Sequence, residues 1–408
     1  MASPRTEPPL SPLTEISPEV CQRPAVKPKV LFVFGTRPEV IKLAPIIREM
    51  RCNPAMAGVR VLSSGQHTDL LRPLLGLFDI WPDFDLQVMR SGQSPNEVCA
   101  RVLEGMGPVI REEAPDLIVV QGDTTTALAA AISGFHYKVP IAHVEAGLRT
   151  GDPLSPFPEE MNRRLITRLA KYHFAATVGN RAQLLAEGVA PENIFVTGNP
   201  VVDSLHYIVK HSAPSDWVGK LLRKVGDRKL IVLTTHRREN FGETIRQNLR
   251  EIRKFVEAHE DVSLIFAVHP NPNVVQAAKA ELDSHPRVHL IKPLGYADFI
   301  QLISHAWLLV SDSGGIQEEA PSLVKPLFVL RNNTERPEAI EAGTAFLVSD
   351  KPGRLATMLE AAYNRAPWLE RVERVRNPFG DGKAAERISK LILSFVQSKN
   401  SLTCEAAQ

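Results

Sequence analysis

Apolar and polar positions along this chain alternate in blocks rather than residue by residue. Val30-Leu31-Phe32-Val33-Phe34 is apolar on both faces, the pattern of a strand buried between two helix layers. It stops at Gly35-Thr36, and Pro38 stands where a first helical turn tolerates a missing N–H, so a helix begins there. The unit then recurs. Strand-like runs lie at 59–63, 117–121, 139–144 and 173–177, with helical periodicity at 68–78, 95–113, 125–136, 158–171 and 180–187. Pro214-Ser215-Asp216 sits in a weakly patterned stretch. After Gly226-Asp227-Arg228-Lys229 a second series opens with Leu230-Ile231-Val232-Leu233. It continues through runs at 262–268, 287–292, 307–311 and 326–330, separated by helical patterns at 243–258, 273–283, 296–305, 315–320 and 353–364. Alternating strands and helices make parallel sheets covered on both faces. The chain therefore reads as α/β, in two Rossmann-like halves of similar size. A last helix at 383–397 follows the loop 377–382, and the pattern leaves open which half it joins.

Composition narrows the function classes. The 408 residues suggest two or three domains at about 150 residues each. With 44% hydrophobic and 23% charged residues, a disordered or fibrous chain is excluded. Forty-eight basic against 46 acidic residues leave a net charge of +2. No global field favours nucleic acid or an anionic membrane, so any anion site is local. The cysteines at 21, 52, 99 and 404 form no C-x-x-C pair, which argues against a zinc ribbon or a disulfide framework and for a reduced, cytoplasmic setting. No stretch of 18 apolar residues and no basic-then-apolar leader is present, so neither a membrane span nor a secretory signal is expected. Prolines at 4, 8, 9, 12, 18 and 24 make residues 1–27 a tail that buries too little to offset its ordering entropy.

In open parallel sheets ligands bind beyond the carboxyl ends of the strands, and here those ends are dense in polar chemistry. They carry Gly35-Thr36-Arg37 with Glu39 and Lys42, then Gly65-Gln66-His67, Gly122-Asp123-Thr124, and His143 with Glu145 to Arg149. In the second half they carry His236 to Asn240, His269 to Pro272, and Asp312 to Gly315. Each has a plain structural reading. Gly-Asp-Thr can simply cap the helix at 125, Ser-Gly-Gly can be a tight turn, and His143 and His269 can be packed or capping residues. Coincidence at seven strand ends favours a site. Ser313-Gly314-Gly315 opens a helix whose N–H groups suit a phosphate, with Arg37, His236 and Arg336 as further cations. Glu318 and Glu319, one turn on, are either a solvated surface pair or partners of ribose hydroxyls. No G-x-G-x-x-G and no G-x-x-x-x-G-K-[ST] occurs, which disfavours nicotinamide chemistry and P-loop phosphoryl transfer. No metal-ligand spacing is present either, so the expectation is no cofactor and no metal.

Taken in order, the motifs resemble those of the non-hydrolysing UDP-N-acetylglucosamine 2-epimerases. They are G-T-R-P-E-x-I-K at 35–42, Q-H at 66–67, G-D-T-T-T at 122–126, H-V-E-A-G-L-R-T at 143–150 and P-E-E-x-N-R at 158–163. They continue with T-G-N at 197–199, H-R-R-E-N at 236–240, H-P-N-P at 269–272, D-S-G-G-I-Q-E-E-A-P at 312–321 and E-R-P-E at 335–338. The likeness spans residues 29–390. It implies the GT-B architecture with the site in the cleft between two Rossmann-like domains, at 28–200 and 201–376, the second binding UDP. It implies a helix at 377–398 returning to the first domain, before a tail at 399–408, and a homodimer. By matching positions, Arg37, His236, Phe299, Ser313, Gly314, Gly315, Glu319 and Arg336 would hold UDP, Phe299 through its backbone. Lys42, Asp123, Glu145, Glu159 and His236 would be the catalytic set. Gln66, Gln93, Arg237 and His269 match positions that hold a second, activating UDP-GlcNAc in some members. Asp69 and Gly92 depart from that pattern.

The implied reaction interconverts UDP-GlcNAc and UDP-ManNAc for surface polysaccharide. The C2 proton is not beside a carbonyl. Breaking the C1–O bond to UDP first puts positive charge on C1 and acidifies it. Loss of the proton then gives a 2-acetamidoglucal, and re-addition from the other face inverts C2. Such chemistry needs acid/base groups on two faces and cations on the leaving diphosphate. The rivals are a GT-B glycosyltransferase, for which no acceptor groove or amphipathic membrane helix is evident, a hydrolysing epimerase, and a non-catalytic nucleotide-sugar sensor.

Overall fold

The computed structural model describes residues 27–405 apart from 67, 91, 238, 239, 349 and 350. The tail expected at 1–27 thus lies outside the described residues but for Lys27, as do His67, Arg238 and Glu239. The N-terminal half carries β1 (Lys29–Phe34), β2 (Gly58–Ser63), β3 (Phe84–Asp85), β4 (Leu117–Gln121), β5 (Ile141–Ala146), β6 (Tyr172–Ala175) and β7 (Ile194–Val196). All are parallel, in the order β3-β2-β1-β4-β5-β6-β7. The second half carries β8 (Lys229–Thr234), β9 (Val262–Ala267), β10 (Val288–Ile291), β11 (Leu308–Ser311), β12 (Leu327–Val329) and β13 (Ala345–Leu347). These are parallel too, ordered β10-β9-β8-β11-β12-β13. This is the GT-B arrangement of two doubly wound sheets. The strand order reverses between β1 and β4, and again between β8 and β11. Those two crevices are where such sheets bind ligands, and both open onto the same cleft.

The strands predicted by apolar runs are present within two residues at each end. Three strands carried no such run. β3, β7 and β13 are two or three residues long and lie at or next to sheet edges, too short to show a period. Helices Pro200–His211, Asp216–Val225, Pro337–Glu341 and Pro367–Arg374 also lie outside the predicted patterns. Asp216–Val225 carries Val218, Leu221, Leu222 and Val225 at helical spacing, the valines buried and the leucines packed against the core, a period that follows directly on the weakly patterned stretch at 214–216.

Helix Pro200–His211 packs on helix Arg37–Arg51 and also on helices Tyr296–Ser304 and Gly314–Glu319. Ser204 Oγ donates to the Ile41 carbonyl. The boundary placed at 200/201 therefore falls at the start of a helix shared by both halves, and one apolar cluster runs from Phe32 through Leu205 to Leu309. The final helix, Ala384–Glu405, buries Ile388, Ile392 and Val396. Phe395 stacks on Tyr172 with ring centroids 3.8 Å apart, so this helix lies on the N-terminal half. It runs beyond 398, where a tail was expected, because no glycine or proline interrupts 399–405. Among the described residues no helix is long and apolar enough to cross a membrane.

Candidate active site

The cleft has a volume of about 970 Å³ and a side lobe of about 340 Å³. Its floor is built from loops that leave the sheets at the switch points. On the N-terminal side Glu39 pins two of them together. Its Oε2 accepts from the Gly35 and Thr36 N–H groups at 3.0 and 2.8 Å, and its Oε1 accepts from Thr124 Oγ1 at 2.8 Å. Fully buried, Glu39 is pushed up to about 7 by desolvation. Thr124 also caps helix Thr125–His136 through the Ala127 N–H, 3.0 Å away. The Gly-Asp-Thr turn is thus both a cap and a wall of the cleft.

Glu145 departs from regular strand geometry. Its φ is +64°, and the β5–β6 register slips between Val144 and Ala146. A bulge of this kind re-aims a side chain at some backbone cost. Here it turns the carboxylate into the cleft, where it accepts from Lys42 Nζ, Gln121 Nε2 and, at 3.0 Å, Asn199 Nδ2. Lys42 also lies 3.6 Å from Glu318 Oε2 of the other half. Burial alone would raise Glu145, but Lys42 and Arg336 outweigh it and hold the carboxyl below its usual range. Burial opposes charge on Lys42 as well, yet Glu145 and Glu318 keep it above the ordinary lysine value. Glu318, with burial the largest cause, is pushed up. Asp123 pairs with Arg163, whose Nη1 is 3.3 Å from buried Glu160. The Asp123 carbonyl accepts from Asn162 at 2.8 Å.

Across the cleft, Asp312 follows β11 and is completely buried. It accepts from Thr235 Oγ1 at 2.7 Å, from the His236 and Arg237 N–H groups, each at 3.0 Å, and from Asn240 Nδ2 at 2.9 Å. These donors, chiefly His236, overcome burial and pull Asp312 far down. His236 Nδ1 is 3.1 Å from Asp312 Oδ1, which leaves Nε2 as the ring nitrogen not facing Asp312. Arg336 is fixed by Glu318, Nε to Oε1 2.6 Å, and lies on Gly314. A Cβ at residue 314 would come within 2.5 Å of Arg336 Nη1 and 2.8 Å of its Cζ, so only glycine lets the guanidinium sit there. The Ser313 side chain makes no cap bond, and the first N–H groups of that short helix point away from any helical acceptor.

The cleft gathers Lys42, Gln66, Gln93, Asp123, Glu145, Glu159, His236, Arg237, Ser313, Gly314, Gly315, Glu319 and Arg336. The side lobe brings in Arg37, His269 and Phe299. The Phe299 N–H already donates to the Gly295 carbonyl at 2.9 Å, so a ligand there would have to use another group of this residue. The surface reading of Glu318 and Glu319 is overturned, because they are only 2% and 5% exposed. Glu319 accepts from Tyr296 Oη at 2.9 Å and is pushed up to about 7 by burial. His143 is packed: fully buried, driven down to about 3 by desolvation, and bonded through Nε2 to the Gly122 carbonyl at 2.7 Å. Gln121, Arg163, Glu335 and the side-chain role of Asn199 carried no prior assignment. Gln121 ends a buried strand and Asn199 reads as a helix cap, whereas Arg163, inside helix Glu159–Leu169, and Glu335, in the loop after β12, show no such local signal. Asn199 is in fact such a cap, its Oδ1 accepting from the Val201 N–H at 3.2 Å. Among the described residues no group of His, Cys, Asp and Glu is arranged to hold a metal ion.

Against known proteins, the profile of the UDP-N-acetylglucosamine 2-epimerase family matches residues 50–393. The Yersinia pestis UDP-N-acetylglucosamine 2-epimerase is 43% identical over 369 residues, 89% of this chain and 98% of that protein. The Escherichia coli K12 enzyme of the same description is 43% identical over 368 residues, 88% and 97% of the two chains. The crystal structure of UDP-GlcNAc 2-epimerase from Neisseria meningitidis, bound to UDP-GlcNAc, superposes with a TM-score of 0.84 at 39% identity, covering 90% of this chain and 100% of that one.

Proposed function

The chain belongs to the UDP-N-acetylglucosamine 2-epimerase family of isomerases, and on that premise we propose that it inverts C2 of UDP-GlcNAc reversibly to give UDP-ManNAc, through elimination of UDP to a bound 2-acetamidoglucal and its re-addition. One observation carries the reading. Asp123, Glu145 and Glu159 line the same cleft as an Arg336–Gly314–Gly315 cradle from the other half, which supplies sugar chemistry and a diphosphate anchor side by side.

Arg37, Arg336, His236 and the backbone N–H groups at 314–315 receive the diphosphate as it leaves C1 and takes up negative charge. Charge at C1 acidifies the C2 proton, and a carboxylate of the N-terminal half removes it. Lys42 keeps Glu145 ionised, and Arg163 holds Asp123, so both are poised as acceptors. Return of a proton on the opposite face and re-addition of UDP complete the inversion. The product suits surface-polysaccharide precursor synthesis by a cytoplasmic homodimer. We extend the proposal to a second, activating UDP-GlcNAc at Gln66, Gln93, Arg237 and His269. The His236 and His269 rings, 5.8 Å apart, would bring that molecule beside the first. Product analysis of purified protein with UDP-GlcNAc tests the assignment. UDP-ManNAc in equilibrium with substrate is expected, whereas free ManNAc with UDP, or unchanged UDP-GlcNAc, would refute it.

Two further outcomes are expected. Gly314→Ala displaces Arg336 and weakens UDP affinity by roughly tenfold, the loss of about one charge-assisted hydrogen bond; unchanged calorimetric affinity would detach Arg336 from the diphosphate. Turnover survives exhaustive chelation, since protein cations balance the diphosphate. Activity lost in chelator and restored by magnesium or manganese would contradict this.

A further inference from the structure

Glu318 is a buried carboxylate behind the cleft wall that joins the two halves through Lys42 and Arg336. It sits on helix Gly314–Glu319, 2% exposed, and its two oxygens serve different partners. Oε1 accepts from Arg336 Nε at 2.6 Å. Oε2 lies 3.6 Å from Lys42 Nζ and has no hydrogen-bond partner despite being buried. Its backbone is fixed as well, since the carbonyl accepts from Asn377 Nδ2 at 2.8 Å. The charged and titratable groups facing it are Lys42 from the first helix, Glu145 from the end of β5 and Arg336 from the loop after β12. Glu319, which lines the cleft, and Tyr296 flank it. Lys42 and Arg336 against Glu145 and Glu318 make a buried set with no net charge.

A diphosphate arriving beside Arg336 upsets that balance among side chains that are themselves buried. The nearest relief is a proton on the carboxylate least stabilised as an anion. Glu145 has three donors. Glu318 has one on Oε1 and none on Oε2, so Glu318 is the place for it. We propose, resting on the UDP-binding reading above, that Glu318 is a positioning residue tying the diphosphate end of the cleft to its sugar end, so that a diphosphate reaching Arg336 draws a solvent proton onto Glu318 and leaves Lys42 wholly to Glu145. The raised proton affinity of Glu318, caused first by burial, is in line with this. The proton stays behind Lys42 and is never passed to the sugar.

The test is calorimetric titration of the full-length protein with UDP in several buffers of different ionisation enthalpy, near pH 8, where the terminal phosphate of UDP is already ionised. The slope against ionisation enthalpy counts protons taken up. Wild type is expected to take up a substantial fraction of one proton per UDP. Glu318→Gln keeps an acceptor for Arg336 and should bind UDP with the uptake gone. Glu318→Asp keeps a titratable carboxyl and should restore it. UDP binding to wild type without proton uptake, or equal uptake by Glu318→Gln, would overturn the coupling. Failure of wild type to bind UDP at all would overturn the underlying reading instead. Absence of uptake by wild type overturns the coupling even if a variant does not fold.

Discussion

Glu145→Gln is expected to lower turnover by on the order of 10³-fold while UDP affinity stays within a few-fold of wild type. The substitution keeps the size of the side chain but ends its service as a proton acceptor. Its carboxylate is aimed by the β5 bulge and held ionised by Lys42. The loss should therefore fall on chemistry and not on nucleotide binding. Some stability will go too, because an amide NH₂ cannot accept from Lys42, Gln121 and Asn199 together. Calorimetric UDP affinity beside the rate separates the two effects. Arg37→Ala supplies the opposite signature. It removes a cation from the side lobe, and UDP should bind about 10- to 100-fold more weakly, from the roughly 1.5–3 kcal/mol of a charge-assisted bond. If Glu145→Gln kept near-normal turnover, or lost UDP as badly as Arg37→Ala, the division into a sugar end and a phosphate end would be wrong.

Lys42→Met should be the most destabilising single change in the cleft. It leaves Glu145 and Glu318 buried with Arg336 as the remaining cation between them. Breaking a buried pair in this way costs about 3–5 kcal/mol. A depressed Glu145 adds stability above its unfolded value of 4.5, lost as pH falls through its folded value. A raised Lys42 adds stability below its unfolded value of 10.5, lost as pH rises through its folded value. The pair therefore contributes most between those limits, and the penalty of Lys42→Met should be largest near neutrality and shrink on acidification, as the stranded carboxylates take up protons. Adding Glu145→Gln to Lys42→Met should recover part of the loss, because the stranded charge is gone. Urea unfolding of the four proteins near pH 7 and pH 5 measures this. Additive penalties, or one independent of pH, would mean the pair is screened by water after all.

Much of this site can be read from sequence because buried parallel strands end abruptly. After β1, β4, β8 and β11 the residues that follow directly are forced to the carboxyl edge of the sheet, so Gly35, Asp123, His236 and Ser313 declare their place without a structure. Glu318 does not. A Glu-Glu pair in a six-residue helix has the same local pattern whether it faces water or Lys42, and only the packing of the two halves decides. Glu145 shows half of its role: its place at the end of β5 is legible, but the positive φ that aims it depends on the register of β6. Asn199 looks like a helix cap before proline and is one, yet its other atom serves Glu145, a contact 54 residues apart in the chain. The final helix has a clear apolar stripe, but its destination rests on Tyr172, Phe174 and Phe195, whose rings receive Phe395.

Proton NMR of the purified protein with UDP-GlcNAc in deuterium oxide tests the proposed chemistry most directly. Inversion by removal and return of a proton requires the carboxylates to exchange with solvent. UDP-ManNAc should therefore appear carrying deuterium at C2, and the residual UDP-GlcNAc should acquire it as the two equilibrate. UDP-ManNAc that retains the original C2 proton throughout turnover would contradict elimination to a 2-acetamidoglucal.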